Sequence, residues 1–484
     1  MKILALQYWA DAIEKEMMNN CIAFKFLQEN EQVPKGYTFI HCHMNFEVKM
    51  DFTRKARFVA GGHMTDPPTE ITYSSVVLRD SVRIGFLIAA LNNLDLVAAD
   101  IGNAYLQAET KEKIYAIAGP EFGELQGRTM IIVRALYGLK SSGAAWHDHF
   151  AQTLHDLGFK TSYADPDVWM RPGTKGNGFK YYGYIFVYVD DLLILSHQAM
   201  LIINTLKWQY RLKNEEVGKP KTYLGAHVKQ SHLPEDSTKV QWGLSAEQYI
   251  KNAVKNVEEK LNESGQSLLS KKYTSSPISN KYRPELDYTP LLNGNAANYY
   301  QQLIGVLRWI VELGRIDVHI HTAMMSANMM QPREGHLKEV LHMFAYLKYH
   351  LNAIMIFDDL EVQWDSESFP KHDWTNYYRD AKEKLPPNMP EPRGNPVKIN
   401  CFIAPILWYS KAQSTIESST FGAEFVATKI AVELIEGLRY KLRMFGIPIE
   451  GPANTFVDNN SVILNATTPT STLKCKQRKI LLTC

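Results

Sequence analysis

Tyr188-Val189-Asp190-Asp191 sets two adjacent carboxylates between two apolar runs. Gly183 to Val189 is aromatic and β-branched, and Leu192-Leu193-Ile194-Leu195 resumes the apolar pattern, so the spacing predicts a buried β-hairpin with the acidic pair at its tip. Turn chemistry alone accounts for such a pair, because Asp tolerates the left-handed backbone of tight turns. A third carboxylate points further. Leu94-Asp95-Leu96-Val97-Ala98-Ala99 reads as a second short buried strand, and it ends at Asp100. Acids at one strand end and on a neighbouring hairpin suit a pair of Mg²⁺ ions, which hard oxygen ligands hold about 3.5 to 4 Å apart in two-metal phosphoryl transfer. Three clustered carboxylates without cations would repel one another strongly.

The surrounding motifs follow in a recognisable order. Asp100-x-x-x-Ala104-Tyr105-Leu106 is followed by Ala135-Leu136-Tyr137-Gly138-Leu139-Lys140 with Trp146 behind it, and then by the Asp190 hairpin. Together they resemble the successive palm motifs of copia-type retrotransposon reverse transcriptases. Lys55-Ala56-Arg57-Phe58-Val59-Ala60-Gly61-Gly62 is similar to that family's fingers strand, and Tyr73-Ser74-Ser75-Val76-Val77 to the segment after it. Tyr223-Leu224-Gly225 resembles the step beyond the palm. Tyr300 to Leu307, Arg315-Ile316-Asp317 and Tyr346-Leu347-Lys348 resemble the later helices. The resemblance runs from about Trp9 to about Lys476.

It implies an α+β chain with a right-hand polymerase fold and a truncated RNase H-like α/β remnant. The expected parts are fingers over 1–80, palm over 81–213, thumb and connecting helices over 214–350, a Pro-rich linker region over 351–400 and the remnant over 401–484. Within them, the pattern predicts helices from Ser245 to Leu261 and from Asn298 to His350, with a Ser/Pro/Lys-rich loop around Tyr273 to Pro290. Asn214 to Pro220 reads as a hinge, and the prolines between Glu383 and Gly394 exclude helix and central strand there.

The resemblance also implies roles. Asp100 and Asp190 would bind both Mg²⁺ ions, with Mn²⁺ as a substitute, and Asp191 would contribute at the edge. Tyr105 would lie under the sugar of the incoming deoxynucleoside triphosphate and exclude a ribose 2′-hydroxyl by a clash. Lys55 and Arg57 alternate with Ala56, so one strand face carries both toward a triphosphate. Gly138 and Lys140 begin a loop whose backbone would approach template or nucleotide, although Ser141-Ser142-Gly143-Ala144 departs from the family's usual Gln-Ala-Pro-Arg. Tyr223, Leu224 and Gly225 would bind the primer of an RNA or DNA template. In the remnant, Ile406-Leu407-Trp408-Tyr409-Ser410-Lys411, Glu424 and Asp458 match successive RNase H pieces, but the strand whose Asp opens that site is missing. Cys475 to Cys484 also departs from the family's basic, His-containing segment. RNase H activity is therefore expected to be absent.

Composition sets outer bounds. The 484 residues are 45% hydrophobic, enough for several subdomains, and a net charge of +2 would not by itself suggest nucleic acid. Basic residues are nevertheless gathered at Arg54, Lys55 and Arg57, at Lys219 and Lys221, and at Lys271, Lys272, Lys281 and Arg283. Five cysteines show no paired spacing, no apolar run is long enough to cross a bilayer, and no signal peptide opens the chain, so an intracellular compartment, cytoplasmic or nuclear, is expected. His41-Cys42-His43 and His319-Ile320-His321 read as coincidences rather than metal sites. Without capsid-type zinc knuckle, protease or integrase segments, the chain reads as part of a longer polyprotein. Nothing in the sequence decides between monomer and homodimer. The competing readings are a decayed retroelement fragment that at most binds nucleic acid, and a palm-type cyclase or phosphodiesterase, which would lack the fingers and thumb similarity.

Overall fold

The computed structural model describes residues 9–48, 53–65, 72–213, 217–233, 236–360, 384–398, 405–410, 420–451, 453 and 455–467. The chain is a mixed α/β protein. Helix α1 (Ala10–Asn20) leads into β1 (Phe24–Phe26), β2 (Thr38–Phe39) and a hairpin of β3 (Cys42–Val48) with β4 (Arg54–Ala60). The long, largely buried helix α2 (Arg79–Asn92) follows, then β5 (Asp95–Asp100) and the single turn α3 (Ala104–Gln107). Strands β6 (Ile114–Ile117) and β7 (Thr129–Ile132) return to β1 and β2, giving a sheet ordered β1-β7-β6-β2. The N-terminal layer therefore draws on residues well past the expected boundary at residue 80. These pairings join Phe24 to Ile132 and Thr38 to Ile114, separations that local patterning does not encode.

The central sheet is ordered β5-β11-β10-β9-β8. It comprises β8 (Lys160–Ser162), β9 (Asp165–Thr174), β10 (Lys180–Tyr188) and β11 (Asp191–Ser196), with β5 at one edge. Both faces are covered, which explains the unbroken apolar runs. Phe186, Leu193 and Leu195 pack with α2 on one face, while Ile185, Leu192 and Ile194 pack on the other with α4 (Ser142–Asp156) and α5 (Ala199–Leu206). The segment read as a hinge is not one in its described part. Gly218 exchanges two backbone hydrogen bonds with Ala98, and Gly102 N–H donates to the Arg211 carbonyl, so this segment covers the free edge of β5.

A third sheet, β12-β13-β14-β15, contains β12 (Thr222–Tyr223), β13 (Ala226–His232), β14 (Val240–Ser245) and β15 (Ile354–Phe357). Strand β15 falls inside the expected linker, yet Met355 and Phe357 are buried in the main core. Helix α6 (Glu247–Asn262) buries Ile250, Ala253, Val254, Val257 and Leu261, the helical spacing that its sequence shows. The expected long helical stretch is divided into α7 (Gly294–Glu312), α8 (His319–Ser326) and α9 (Glu334–Tyr349). The basic loop before α7 is pinned to α9 by imidazoles: Nε2 of His336, His342 and His350 lies 3.0, 3.1 and 3.0 Å from the carbonyls of Pro284, Ser276 and Thr274. His319 and His321 sit on α8, and among the described residues no group of three or more His, Cys, Asp or Glu forms a metal cluster. No described helix is long and apolar enough to cross a membrane.

The C-terminal part is tied into the same core. Its described elements are β16 (Val397–Lys398), α10 (Thr420–Met444), β17 (Ile449–Glu450), which pairs in parallel with β16, and α11 (Asn460–Thr467). Cys401 to Ala404 and Cys475 to Cys484 lie outside the described residues. The end of α10 closes the α2-side face of the central sheet: Phe445 is fully buried, Tyr184 Oη–H donates to its carbonyl at 2.7 Å, and Lys441 Nζ lies 2.7 Å from Asp80. The Pro-rich segment is extended as expected but also anchored. Tyr182 Oη–H donates to the Glu391 carbonyl, and Asn395 N–H to the Asn92 side chain. Arg83 joins three parts at once, donating to the carbonyls of Glu312 and Ile406 while its guanidinium lies 3.8 Å from the Trp408 ring centroid. We predict that Phe445→Ala lowers stability by about 3–5 kcal/mol in urea unfolding, as a large-to-small change in a packed core does. A loss below about 1 kcal/mol would mean that the C-terminal part packs independently of the sheet.

Candidate active site

The site is built where β5 ends beside the hairpin of β10 and β11. The ladder pairs Asp191 with Asp100 and Tyr188 with Asp191, so the turn residues are Val189 and Asp190. The acidic pair is thus split between turn and strand, one position earlier than an Asp-Asp tip. Val189 has φ of +59°, whereas Asp190 is not among the positive-φ residues. A positive φ at a central position of a two-residue hairpin turn is a conformation that glycine or asparagine usually supplies. Two hydrogen bonds hold the turn. The Ile101 amide donates to the Asp190 carbonyl at 2.9 Å, and the Trp146 indole N–H donates to the Val189 carbonyl at 2.8 Å.

Asp100 is 9% exposed. Its Oδ2 lies 2.6 Å from Lys213 Nζ, and its Oδ1 is buried without a hydrogen-bond partner. A buried, unpartnered carboxylate oxygen is costly unless a cation reaches it, so this donor set fits a hard divalent ion. Asp190 is half-buried, and burial followed by the nearby charge of Asp100 raises its carboxyl pKa above the ordinary value. Lys213 and Lys55 pull in the opposite direction. Asp100 and Asp190 thus form an interacting pair. The charge of Asp191 acts instead on the buried phenol of Tyr223, which burial pushes well above its usual range.

Tyr105 follows a chain reversal at Asn103, whose φ of +54° suits Asn better than a bulky residue. Its ring lies 4.8 Å from that of Tyr137, with the Arg57 guanidinium 5.7 Å from the Tyr137 centroid. Burial and the charge of Asp190 raise both phenols, Tyr137 to about 12. Lys55 and Arg57 share one face of β4, where Arg57 also pairs with Glu47 across the hairpin. Gly138 makes a close approach of another kind from the expected one. At φ +93° an added Cβ would lie 2.1 Å from the Ala60 carbonyl, so the glycine lets the β7–α4 turn dock on β4 of its own chain. Lys140 Nζ donates to the Thr65 carbonyl at 2.7 Å. Leu224 and Gly225, with φ of +46° and +84°, make the two-residue turn between β12 and β13.

The structure therefore gathers Asp100, Asp190, Tyr105 and Lys55 and sets Tyr223 near Asp191. It leaves Gly138 and Lys140 engaged with the β4 region. Glu424 on α10 has one buried, unpartnered carboxylate oxygen, and the exposed Asp458 precedes α11. Lys213, Tyr137 and the contact of Trp146 were not assigned from sequence. Tyr137 and Trp146 lay inside a recognised motif, but Lys213 meets Asp100 across 113 residues with no local signal.

Residues 25–263 match the family described as reverse transcriptase (RNA-dependent DNA polymerase), a span that contains Asp100, Asp190 and Asp191. The chain carries a reverse transcriptase domain. It is 24% identical over 445 residues to a retrovirus-related Pol polyprotein from transposon RE1 of Arabidopsis thaliana, covering 88% of this chain and 27% of the relative. It is also 24% identical over 423 residues to the corresponding polyprotein from transposon TNT 1-94 of Nicotiana tabacum, covering 84% and 29%. A putative transposon Ty5-1 protein of Saccharomyces cerevisiae is 26% identical over 254 residues, covering 51% of this chain and 74% of the relative. The chain is thus a relative of copia-type Pol polyproteins and spans less than a third of the two plant examples. For the reverse transcriptase domain the electrostatics of Asp190 make a test without activity. A carboxyl whose folded pKa is raised loses stability as pH rises from its unfolded toward its folded value, and the deficit persists above. Without divalent metal, Asp190→Asn should therefore raise the urea midpoint at pH 7, with the gain shrinking toward pH 3. An equal gain at both pH values would place the effect outside ionisation.

Proposed function

We propose that this chain is an RNA- and DNA-templated DNA polymerase from a copia-type retrotransposon polyprotein, extending a primer with deoxynucleoside triphosphates. The observation that carries the reading is the pair of buried Asp100 and half-buried Asp190, with an unpartnered Asp100 oxygen, at the strand end and hairpin of a reverse transcriptase domain. In a right-hand arrangement, the N-terminal sheet and the β3–β4 hairpin act as fingers, the central sheet as palm, and the helices after β14 as thumb and connection. Asp100 and Asp190 hold Mg²⁺ or Mn²⁺, with Asp191 at the edge. When bound, the metal pair acidifies the attacking hydroxyl and steadies the leaving pyrophosphate. Lys55 and Arg57 orient the triphosphate through charge-assisted hydrogen bonds. Tyr105, braced by Tyr137, excludes the ribose 2′-hydroxyl, and the turn at Tyr223, Leu224 and Gly225 supports the primer.

The test is primer extension on homopolymer RNA and DNA templates with Mg²⁺. Asp190→Asn should abolish extension while primed-template affinity stays within about twofold, since the acid acts on metal rather than on nucleic acid. A wild-type chain that binds template without extending it would identify a decayed fragment, and extension by the variant would remove the two-metal assignment.

For the C-terminal part we propose that RNase H activity is absent. Hydrolysis by two metals needs acids converging on both ions, and only Glu424 and Asp458 match the family pattern. Incubated with a labelled RNA/DNA hybrid and Mg²⁺ or Mn²⁺, the protein should leave the RNA intact. Cleavage that disappears in Glu424→Gln would show the opposite.

A further inference from the structure

The hairpin turn contains a conformational mismatch. Val189 has φ of +59°, a region that costs a β-branched residue dearly because its Cβ substituents crowd the backbone. The flanking ladder alone does not enforce this choice, since strands of this register also close with other turns when the first central residue changes conformation. What distinguishes the turn is the indole of Trp146, whose Nε1–H donates to the Val189 carbonyl at 2.8 Å. The indole is itself held rigidly. Trp146 is 2% exposed, stacks on Phe150 with centroids 5.2 Å apart and an interplanar angle of 17°, and meets Tyr210 edge-on at 5.7 Å. Tyr210 is fixed in turn by a buried 2.6 Å hydrogen bond with Thr153 on the same helix as Trp146.

We propose that Trp146 is a positioning residue for nucleotidyl transfer: its indole N–H holds Val189 in the left-handed region and thereby aims Asp190 at Asp100. The Asp190 carbonyl is already tied to β5 through Ile101, so the two tip carbonyls are pinned from two sides, one by backbone and one by this side chain. A neutral hydrogen bond to this part-buried carbonyl offsets a sizeable share of what the positive-φ conformation costs, so its loss shifts the balance of the turn. A water admitted to the slot beneath the turn would satisfy the carbonyl without imposing direction. That slot, with room for one water at most, is lined by Trp146, Val187 and Val189 among others.

The role rests on the polymerase reading for its kinetic readout, and a metal-binding readout stands apart from it. The full chain is compared with Trp146→Phe, Val189→Gly and the double variant, by primer extension and by Mn²⁺ affinity from electron paramagnetic resonance; the binding lost in Asp190→Asn defines the site. Phenylalanine keeps the ring stack but not the donor. Trp146→Phe should lower kcat about tenfold with KM for nucleotide within about twofold, and should weaken Mn²⁺ binding about threefold. Val189→Gly removes the steric cost of the left-handed turn, so in that background Trp146→Phe should change either quantity by less than about twofold. Equal losses in both backgrounds, or no loss in either readout, would overturn the role. A wild-type chain that fails to extend primers would remove the polymerase reading alone, because the Mn²⁺ comparison still decides for or against Trp146.

Discussion

The antiparallel ladder between β5 and β11 is the constraint on which the rest depends. It pairs Asp191 with Asp100, Leu192 with Ala99, Leu193 with Ala98 and onward to Ser196 with Asp95. Leu193 and Leu195 enter one core while Leu192 and Ile194 enter the other, so a slip of one residue would exchange every side chain between two filled cores. Burial on both faces thus locks the register, and the register puts the Asp190 turn beside the end of β5. The carboxylates meet because the apolar residues behind them cannot move.

This arrangement holds electrostatic tension in the protein alone. Asp100 has an oxygen with no partner, Lys213 occupies the other, and the Asp190 carboxyl is pushed toward its neutral form by burial and by Asp100. Lys213 offsets part of this repulsion, and the proximity of the two acids still costs the fold stability in the absence of further positive charge. The turn adds a conformational strain of its own at Val189. Both are tolerated because the apolar cores on either side of the sheet and the wedged indole of Trp146 surround them.

The C-terminal part shows how a segment can be built into a fold apart from any chemistry of its own. Phe445, Leu442 and Ile447 belong to the same apolar cluster as Tyr184, Phe186 and the α2 residues. Tyr182 and Tyr184 spend their hydroxyls on carbonyls of Glu391 and Phe445, so the strand that leads to the Asp190 turn is braced from behind by residues more than 200 positions later. Reading that region only as a reduced catalytic domain misses this contribution, since the bonds fall at residues outside the recognised motifs.

The sequence by itself determined what depends on local order. The alternation and apolar runs around Asp190, the strand before Asp100, the helical spacing of Ile250 to Leu261 and the prolines after Lys384 are all readable within short windows, because backbone geometry imposes periods of two and 3.6 residues. The motif order likewise placed Tyr105, Lys55 and Tyr223 as candidates. Only the tertiary structure decided which strands complete the N-terminal sheet, that β15 leaves the linker to join a sheet, and that Gly218 seals β5 instead of hinging. It also decided that the turn is Val189-Asp190, that Gly138 docks on its own chain's β4, and that Lys213 lies on Asp100 from 113 residues away. Each of these arises from contacts between distant segments, whose pairing is selected by burial and by the filling of hydrogen bonds across the whole molecule rather than by neighbours along the chain.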